Sequence, residues 1–215
     1  MTCLSATIDA SICTTTDQLK SCLTSSADAI EIYVMQDAKG ELIVTPKNRN
    51  EETMSLVQVF QCAREYPKKN IHCFLKVPEL EFKILKLAKQ VILPNQLIYS
   101  GMVDLELIKK DRNQLPDVQI YLDIEQLFPA IYQVAHSIEF EEYFYDFVYY
   151  SLMQSKKYEV ACVNINHSLC ADNILNYMQR KEINCSIYMG NENYLDEKLL
   201  TYTIYNITRN AMSLS

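Results

Sequence analysis

The side chains that could do chemistry stand mainly where predicted β-strands end. They are Glu31, Tyr33, Lys76, Ser100, Asp123, Asn164, Tyr188 and Asn191. A metal-assisted hydrolytic site would need several carboxylates and one or two histidines, because a hard cation prefers oxygen ligands and a leaving group needs a proton. Only Glu31 and Asp123 are acids, and their strands are well apart in the chain. These residues therefore include few of the groups that a metal-assisted hydrolytic site needs.

The three histidines are not at positions where they would add a catalytic group to these strand ends. His72 falls near the middle of a predicted strand, His136 in a long connection, and His167 in the loop that follows Asn164. We therefore do not expect the three imidazoles to lie together at the strand ends. We expect each histidine to be packed or solvated rather than catalytic.

Short β patterns alternate with helical patterns along the chain. In the second predicted strand, Ile30, Ile32 and Val34 alternate with polar neighbours, which is the period of a half-buried strand. Thr53 is the predicted N-cap of a helix. Strands are predicted at 6–11, 28–35, 41–44, 70–75, 96–99, 118–124, 160–163, 183–188 and 202–207. Helices are predicted at 15–25, 54–66, 79–90, 104–112, 139–156, 171–181 and 192–200.

This alternation predicts an α/β fold. Parallel strands need a crossover helix between them, so the pattern favours a parallel sheet with helices outside it. Eight such units close naturally into a TIM-type (β/α)8 barrel, although 215 residues are few against the ~250 typical of that fold. The alternative is an open doubly wound sheet, which would want a glycine-rich nucleotide turn, and the chain has only three glycines. No Pro/Gly/Ser-rich linker occurs, so residues 1–215 are predicted to form one domain.

Composition and charge exclude several classes of protein. The chain of 24.9 kDa is 49% hydrophobic and 22% charged, which is ordinary for a globular protein. A net charge of -7 does not provide the excess of positive charge that favours binding to nucleic acid or an anionic membrane. No apolar run approaches the roughly 20 residues of a membrane span, and no signal peptide is recognised. The eight cysteines form no CxxC pair, so we expect reduced thiols and a cytoplasmic location.

The predicted helix at 139–156 is rich in aromatic side chains. Phe140, Tyr143, Phe144, Tyr145, Phe147, Tyr149 and Tyr150 crowd more than one of its faces. A helix that is apolar all round is either deeply buried or faces a partner. Packing against the barrel wall accounts for the phenylalanines. The tyrosines, which are common at interfaces, leave a homodimer through this helix open.

Six segments resemble the glycerophosphodiester phosphodiesterase family, and they occur in the family's order. Residues 26–44 resemble the family's GADAIELDV…KDGELVV segment. The others resemble its PTLEEVL helix start (54–60), IEIK with the next helix (74–80), the strand before its SSF turn (98–100), GVNPHYSL (160–169) and VWTVND (187–192). The order and spacing hold from about Thr15 to Asn210, and the resemblance implies the same barrel.

The residues that carry the family's chemistry are replaced in this chain. The family's HRG has no counterpart at 7–10, Tyr33 stands in place of an aspartate, and Phe74 stands in place of the IEIK glutamate. Pro46 and Lys47 stand where the family has a His-Asp pair. The resemblance implies that the two lost histidines are the family's general acid and base and that the lost carboxylates hold a divalent cation.

The consequence for activity is large. Each acid or base contributes ~10²–10⁴-fold to a rate, so their joint loss leaves little turnover. Glu31 alone would be a weak, incomplete metal site, and Lys47 could replace some cation charge but transfers a proton poorly near neutral pH. The family's insertion of some tens of residues is also reduced to the few residues between Lys47 and Thr53. No cofactor is expected.

Three hypotheses remain. The first is a pseudoenzyme that acts as a binding or regulatory barrel for a small phosphorylated or polyol ligand, held at the barrel mouth by Glu31, Tyr33, Lys47, Lys76, Asp123, Asn164, Tyr188 and Asn191. For Lys76, an ion pair with Glu31 is an equal alternative. The second is an active phosphoric diester hydrolase of lipid and glycerol metabolism that uses Mg or Ca and replacement residues such as His167, Asp123 or Tyr33. The third is an assembly role through the aromatic helix.

Overall fold

A computed structural model describes residues 9–26, 29–45, 53–123, 156–166 and 185–188. The chain divides into two compact units, Ile8–Tyr121 on one hand and Met1–Thr7 with Leu122–Ser215 on the other. The helices predicted at 139–156, 171–181 and 192–200 and the strand at 202–207 lie outside the described residues. The single domain and the homodimer therefore stay predictions.

The unit Ile8–Tyr121 is built on a mainly parallel sheet. Its strands are β1 (Asp9–Ile12), β2 (Ala29–Gln36), β3 (Leu42–Val44), β4 (Met54–Ser55), β5 (Asn70–Leu75), β6 (Leu97–Gly101) and the start of β7 (Gln119–Asp123). β1 pairs with β2, β2 with β5, β5 with β6, and β6 with β7, all in parallel. β3 and β4 add antiparallel pairs beyond β2. The predicted alternation of strands and crossover helices is confirmed here.

Side chains cap three of the four helices of this unit. The helices are α1 (Thr16–Thr24), α2 (Leu56–Ala63), α3 (Glu81–Ala88) and α4 (Leu105–Lys110). Thr15 and Gln18 form a capping box on α1, and Asp104 caps α4. The prediction of Thr53 as the cap of α2 is wrong. Ser55 caps α2, because its hydroxyl accepts the Gln58 N–H at 3.2 Å.

Two predicted boundaries also move. Glu79 has φ of 64°, in the left-handed region, so a right-handed helix cannot include it, and α3 begins at Glu81 rather than at 79. In the second unit, β8 occupies Cys162–Asn166 instead of 160–163. Glu159 has φ of 54°, which breaks the extended backbone just before that strand.

The sheet has one face toward the helices and one face away from them. Ile30, Ile32 and Val34 are fully buried, while the residues between them are partly exposed. The Tyr99 hydroxyl donates to the Glu81 carbonyl at 3.0 Å, so Tyr99 of β6 points to the helical layer. Since side chains alternate along a strand, its neighbour Ser100 points to the opposite face. That opposite face carries the polar side chains of the sheet.

The second unit contributes β8 and β9 (Cys185–Tyr188), which pair in parallel with Val163 opposite Cys185. The last two residues of β7 also belong to it. Within the described residues of both units, no helix has the length and apolar character that crossing a membrane would take. Among those residues, no disulfide joins Cys13, Cys22, Cys62, Cys73 or Cys162.

Gly101 ends β6 at a point of close contact. Its φ is 77°, and a Cβ at this position would lie 2.6 Å from the Leu75 carbonyl oxygen and 2.9 Å from the Phe74 ring. Met102 then donates its N–H to the same Leu75 oxygen at 2.9 Å. Only glycine combines this backbone conformation with this approach to β5.

We predict that Gly101→Ala lowers the free energy of unfolding by about 2–4 kcal/mol, from left-handed strain plus a clash with a backbone oxygen. Gly40→Ala is the matched control, since its φ is 86° but its nearest contact is the flexible end of Gln36 at 3.4 Å. It should cost about 1–2 kcal/mol, from backbone strain alone. Urea unfolding of the two variants measures the difference, and equal losses would contradict the close-contact argument.

Glu81 is a buried carboxyl in the helical layer. Its Oε1 accepts the Asp104 N–H at 2.6 Å, whereas its Oε2 is buried and makes no hydrogen bond within the described structure. Burial raises the pKa of Glu81, and the negative charges of Asp104 and Glu79 add to that effect, although backbone hydrogen bonds oppose it. The folded protein therefore keeps the Glu81 proton to a higher pH than the unfolded chain does.

This shift has a definite sign for stability. An unfolded glutamate ionises near pH ~4.3, so above that pH the folded state holds more protons at Glu81 than the unfolded state. The free energy of unfolding should fall as the pH rises from there through the raised pKa. Glu81→Gln should remove this decline, and Glu65→Gln, on an exposed side chain, should keep it. Urea unfolding between pH 4.5 and about 8 tests both variants; parallel curves for wild type and Glu81→Gln would refute the assignment.

Candidate functional site

Three polar side chains from three adjacent strands meet on the sheet face away from the helices. In the β2–β5 register Glu31 stands opposite His72, and β6 places Ser100 two residues further toward the carboxyl ends. The Ser100 Oγ lies 2.7 Å from His72 Nε2, and the Glu31 Oε2 lies 3.6 Å from His72 Nδ1. We call Glu31, His72 and Ser100 the polar triplet.

The polar triplet is enclosed. Ser100 is fully buried, His72 is 2% exposed, and the Glu31 side chain is 15% exposed. The Tyr121 ring meets the His72 ring edge-on, with 5.5 Å between centroids. An imidazole with a hydroxyl on one nitrogen and a carboxylate near the other can accept and return a proton. The prediction that His72 is packed is confirmed. Its two polar partners, Ser100 and Glu31, also give it the contacts of a proton-transfer group.

Aromatic rings and a lysine stand at the carboxyl ends of β2 and β5. The Tyr33 and Phe74 rings meet edge-on at 5.1 Å. The Lys76 ammonium lies 4.2 Å from the centroid of the Tyr33 ring and 4.9 Å from that of Phe74. Attraction to the ring faces holds the cation there, at a side chain that remains exposed. The alternative ion pair of Lys76 with Glu31 is not formed, because His72 occupies the place beside Glu31.

The described residues do not fit a divalent cation. Across the ranges that the structure describes, no three Asp, Glu, His or Cys side chains gather as a metal group. The His72 imidazole lies beside Glu31, and the Tyr33 and Phe74 rings meet near the carboxyl ends of the same strands. A hard cation such as Mg or Ca needs several oxygen ligands, which this arrangement lacks.

The second unit brings together two of the predicted site residues, Asp123 and Asn164. Both are nearly buried, and the Asn164 Nδ2 donates to the Asp123 Oδ1 at 2.7 Å. An ionised carboxylate only accepts hydrogen bonds, so this contact orients the amide. The Asn164 Oδ1 then faces away from Asp123 and has no hydrogen-bond partner within the described structure.

Four of the residues considered in the sequence analysis lie outside the part of the chain that the structure describes. Lys47, Asn191, His136 and His167 lie outside the described residues. Tyr188 is the last residue of β9, and its backbone pairs opposite Asn166. Their predicted roles in a ligand site stay predictions.

Sequence reasoning missed the connection between His72 and Ser100. It places Ser100 among the strand-end residues but sets His72 apart in mid-strand. The two residues are 28 positions apart, and they meet because β5 and β6 are neighbours in parallel register. A signal was present: Glu31, His72 and Ser100 each stand next to apolar residues of period two, on the same side of three consecutive strands. Aligning those periods would have suggested the contact.

The architecture is that of a barrel phosphodiesterase fold, and solved structures share it. A glycerophosphodiester phosphodiesterase from Parabacteroides distasonis superposes with a TM-score of 0.60 at 13% identity, covering 89% of this chain and 82% of that one. One from Thermotoga maritima gives a TM-score of 0.56 at 15% identity, with 89% and 84% covered. A phosphodiesterase from Oleispira antarctica, solved with its product sn-glycerol-3-phosphate, gives 0.60 at 12% identity, with 88% and 82% covered.

These likenesses confirm the predicted fold class. The chain has the α/β, TIM-type barrel fold of the glycerophosphodiester phosphodiesterases, as its alternating elements and its resemblance imply. No protein-family model and no curated protein matches the sequence. At such low identity the likeness establishes the fold, and function must be argued from the side chains.

The Asp123–Asn164 pair generates a prediction about charge. Asn164→Asp would replace a donor by a second carboxylate in a buried place, and at pH 7 it should lower the free energy of unfolding by about 2–4 kcal/mol. The loss should shrink in acid, where a protonated carboxyl can donate to Asp123. Asn113→Asp, at an exposed position, is the control and should be within ~0.5 kcal/mol of wild type. A loss that does not depend on pH would contradict this account.

Proposed function

We propose that this protein is a binding or regulatory barrel for a small phosphorylated or polyol ligand and that its phosphodiesterase activity is impaired. The observation that carries the proposal is the Lys76 ammonium, held over Tyr33 and Phe74 at the carboxyl ends of the strands. Ligands of α/β barrels bind at that end. An exposed ammonium with three donors suits a phosphate group.

The replacement of the family's chemical groups supports the impairment. A phosphodiester needs a proton donor for its leaving alkoxide and positive charge for its non-bridging oxygens. At the positions of Tyr33 and Phe74, the family resemblance implies carboxylates that would hold a cation, and this chain has aromatic rings there. The described residues contain no cluster of three or more Asp, Glu, His or Cys side chains that could bind a metal ion. Lysine charge alone can bind the anion without completing the chemistry.

Glu31 is the member of the polar triplet that is partly exposed, and an ionised carboxylate accepts hydrogen bonds. This suits a ligand that also carries hydroxyl groups. This supports glycerol phosphates and glycerophosphodiesters as the first ligands to test. As part of the proposal, that ligand class implies a role in glycerol or lipid metabolism, while the cytoplasmic location stays an expectation from the sequence.

One observation favours a second candidate, an active glycerophosphodiester hydrolase with replacement residues. The His72 imidazole beside Glu31 could serve as a proton-transfer group in place of the family's lost histidines. The described residues do not provide the several oxygen ligands that a divalent cation needs, which is why binding is the primary proposal.

We predict that the wild-type protein binds glycerol 3-phosphate and that Lys76→Met weakens binding about 10- to 100-fold. Methionine keeps the apolar stem against the rings and removes the charge, whose hydrogen bond to phosphate contributes about 1.5–3 kcal/mol. Lys86→Met, an exposed lysine on α3, is the matched control and should bind like wild type. Isothermal titration calorimetry measures all three proteins.

The same preparation separates the two candidates. Glycerophosphocholine is incubated with Mg or Ca, and release of glycerol 3-phosphate is followed. Absence of heat with every glycerol phosphate and glycerophosphodiester would remove the binding proposal. Metal-dependent turnover that Glu31→Ala abolishes would favour the hydrolase instead.

A further inference from the structure

The polar triplet has the connectivity of a nucleophile, a base and a carboxylate that orients the base. The Ser100 hydroxyl is within hydrogen-bond reach of His72 Nε2, at 2.7 Å. Glu31 approaches the other ring nitrogen at 3.6 Å. A carboxylate accepts only, so it favours the tautomer with the proton on Nδ1, and this leaves Nε2 free to accept the hydroxyl proton of Ser100.

We propose that Ser100 is a nucleophile activated by His72 and Glu31 and that it cleaves small, neutral carboxylic esters. The Ser100 oxygen would form a bond to the ester carbonyl carbon while its proton moves to His72 Nε2. Collapse of the tetrahedral adduct breaks the ester C–O bond, and His72 returns the proton to the leaving alcohol. Water then repeats the two steps, releasing the carboxylic acid and restoring the serine hydroxyl.

The charge around the polar triplet selects a neutral ester over a phosphodiester. The Glu31 carboxylate lies beside His72, and its charge repels an anionic phosphodiester but not an uncharged carbonyl. The Tyr121 ring packs against His72, and the Phe74 ring against the position after Ser100. These apolar walls favour a short acyl group. The activity is distinct from the phosphate binding proposed for Lys76, and either can fail without the other.

Access to Ser100 is controlled by Phe74. Ser100 and His72 are enclosed, so the ester and the hydrolytic water must both enter past the side chains around them. Phe74 is the register partner of Ser100 on β5, is half-buried, and presses on Gly101, the next residue of β6. Approach from the carboxyl ends of the strands therefore passes this ring. A rotation of Phe74, or its removal, would expose the serine.

The test is covalent labelling with a small alkyl fluorophosphonate, followed by peptide mass spectrometry, together with hydrolysis of p-nitrophenyl acetate. We expect one adduct on Ser100, none in Ser100→Ala, and faster labelling in Phe74→Ala. His72→Gln should slow both labelling and hydrolysis by about 10²-fold or more, because the base is lost. Ser21→Ala, an exposed serine on α1, is the control and should react like wild type.

Two results would overturn the proposal. One is an unlabelled Ser100 in both wild type and Phe74→Ala, each shown to be folded by its cooperative melting transition. The other is a Ser100 adduct whose rate of formation is the same in His72→Gln as in wild type, since a structural histidine would leave reactivity unchanged. If His72→Gln does not fold, Glu31→Gln takes its place: a rate at the wild-type level counts against the relay, and a clear decrease supports it.

Discussion

Parallel pairing of β5 between β2 and β6 is the constraint on which the candidate site depends. The pairing aligns Glu31 with His72, and alternation along the strands turns Ser100 to the same face. A slip of one residue in either pair would send His72 into the helical layer and Cys73 to the polar face. Gly101 helps to hold this register, because the absence of a side chain lets β6 end against the Leu75 carbonyl. The polar triplet is therefore a product of strand register, and no local motif encodes it.

The proposed phosphate binding and the proposed ester cleavage use side chains of different charge at two places on one sheet. Lys76 stands at the exposed strand ends, where aromatic faces stabilise its cation. Glu31 and His72 lie deeper, where low dielectric strengthens their interaction and penalises any unpaired charge. Tyr33 and Phe74 lie between the two regions. One sheet thus carries an exposed cation and an enclosed polar cluster, and a single fold can support different functions in this way.

Elements with strong local signals were predictable, and their ends were not. The strand around Ile30 follows from its period of two, and the helix predicted at 15–25 forms at Thr16–Thr24. The cap of α2 went wrong because Thr53 and Ser55 are both good caps, and only pairing of Met54–Ser55 with β3 decides between them. Glu79 similarly has helical propensity but adopts a left-handed conformation before α3. Tertiary pairing overrides propensity at such positions.

The sequence by itself determined the parallel α/β class, the alternation of strands and helices, and the strand-end position of Lys76. These follow from residue identity and short-range periodicity, which act within a few positions. The tertiary structure decided that Lys76 lies on aromatic rings, that His72 takes the place beside Glu31, and that Ser100 meets the imidazole. Such contacts join residues tens of positions apart, and only the register of neighbouring strands brings them within hydrogen-bond distance.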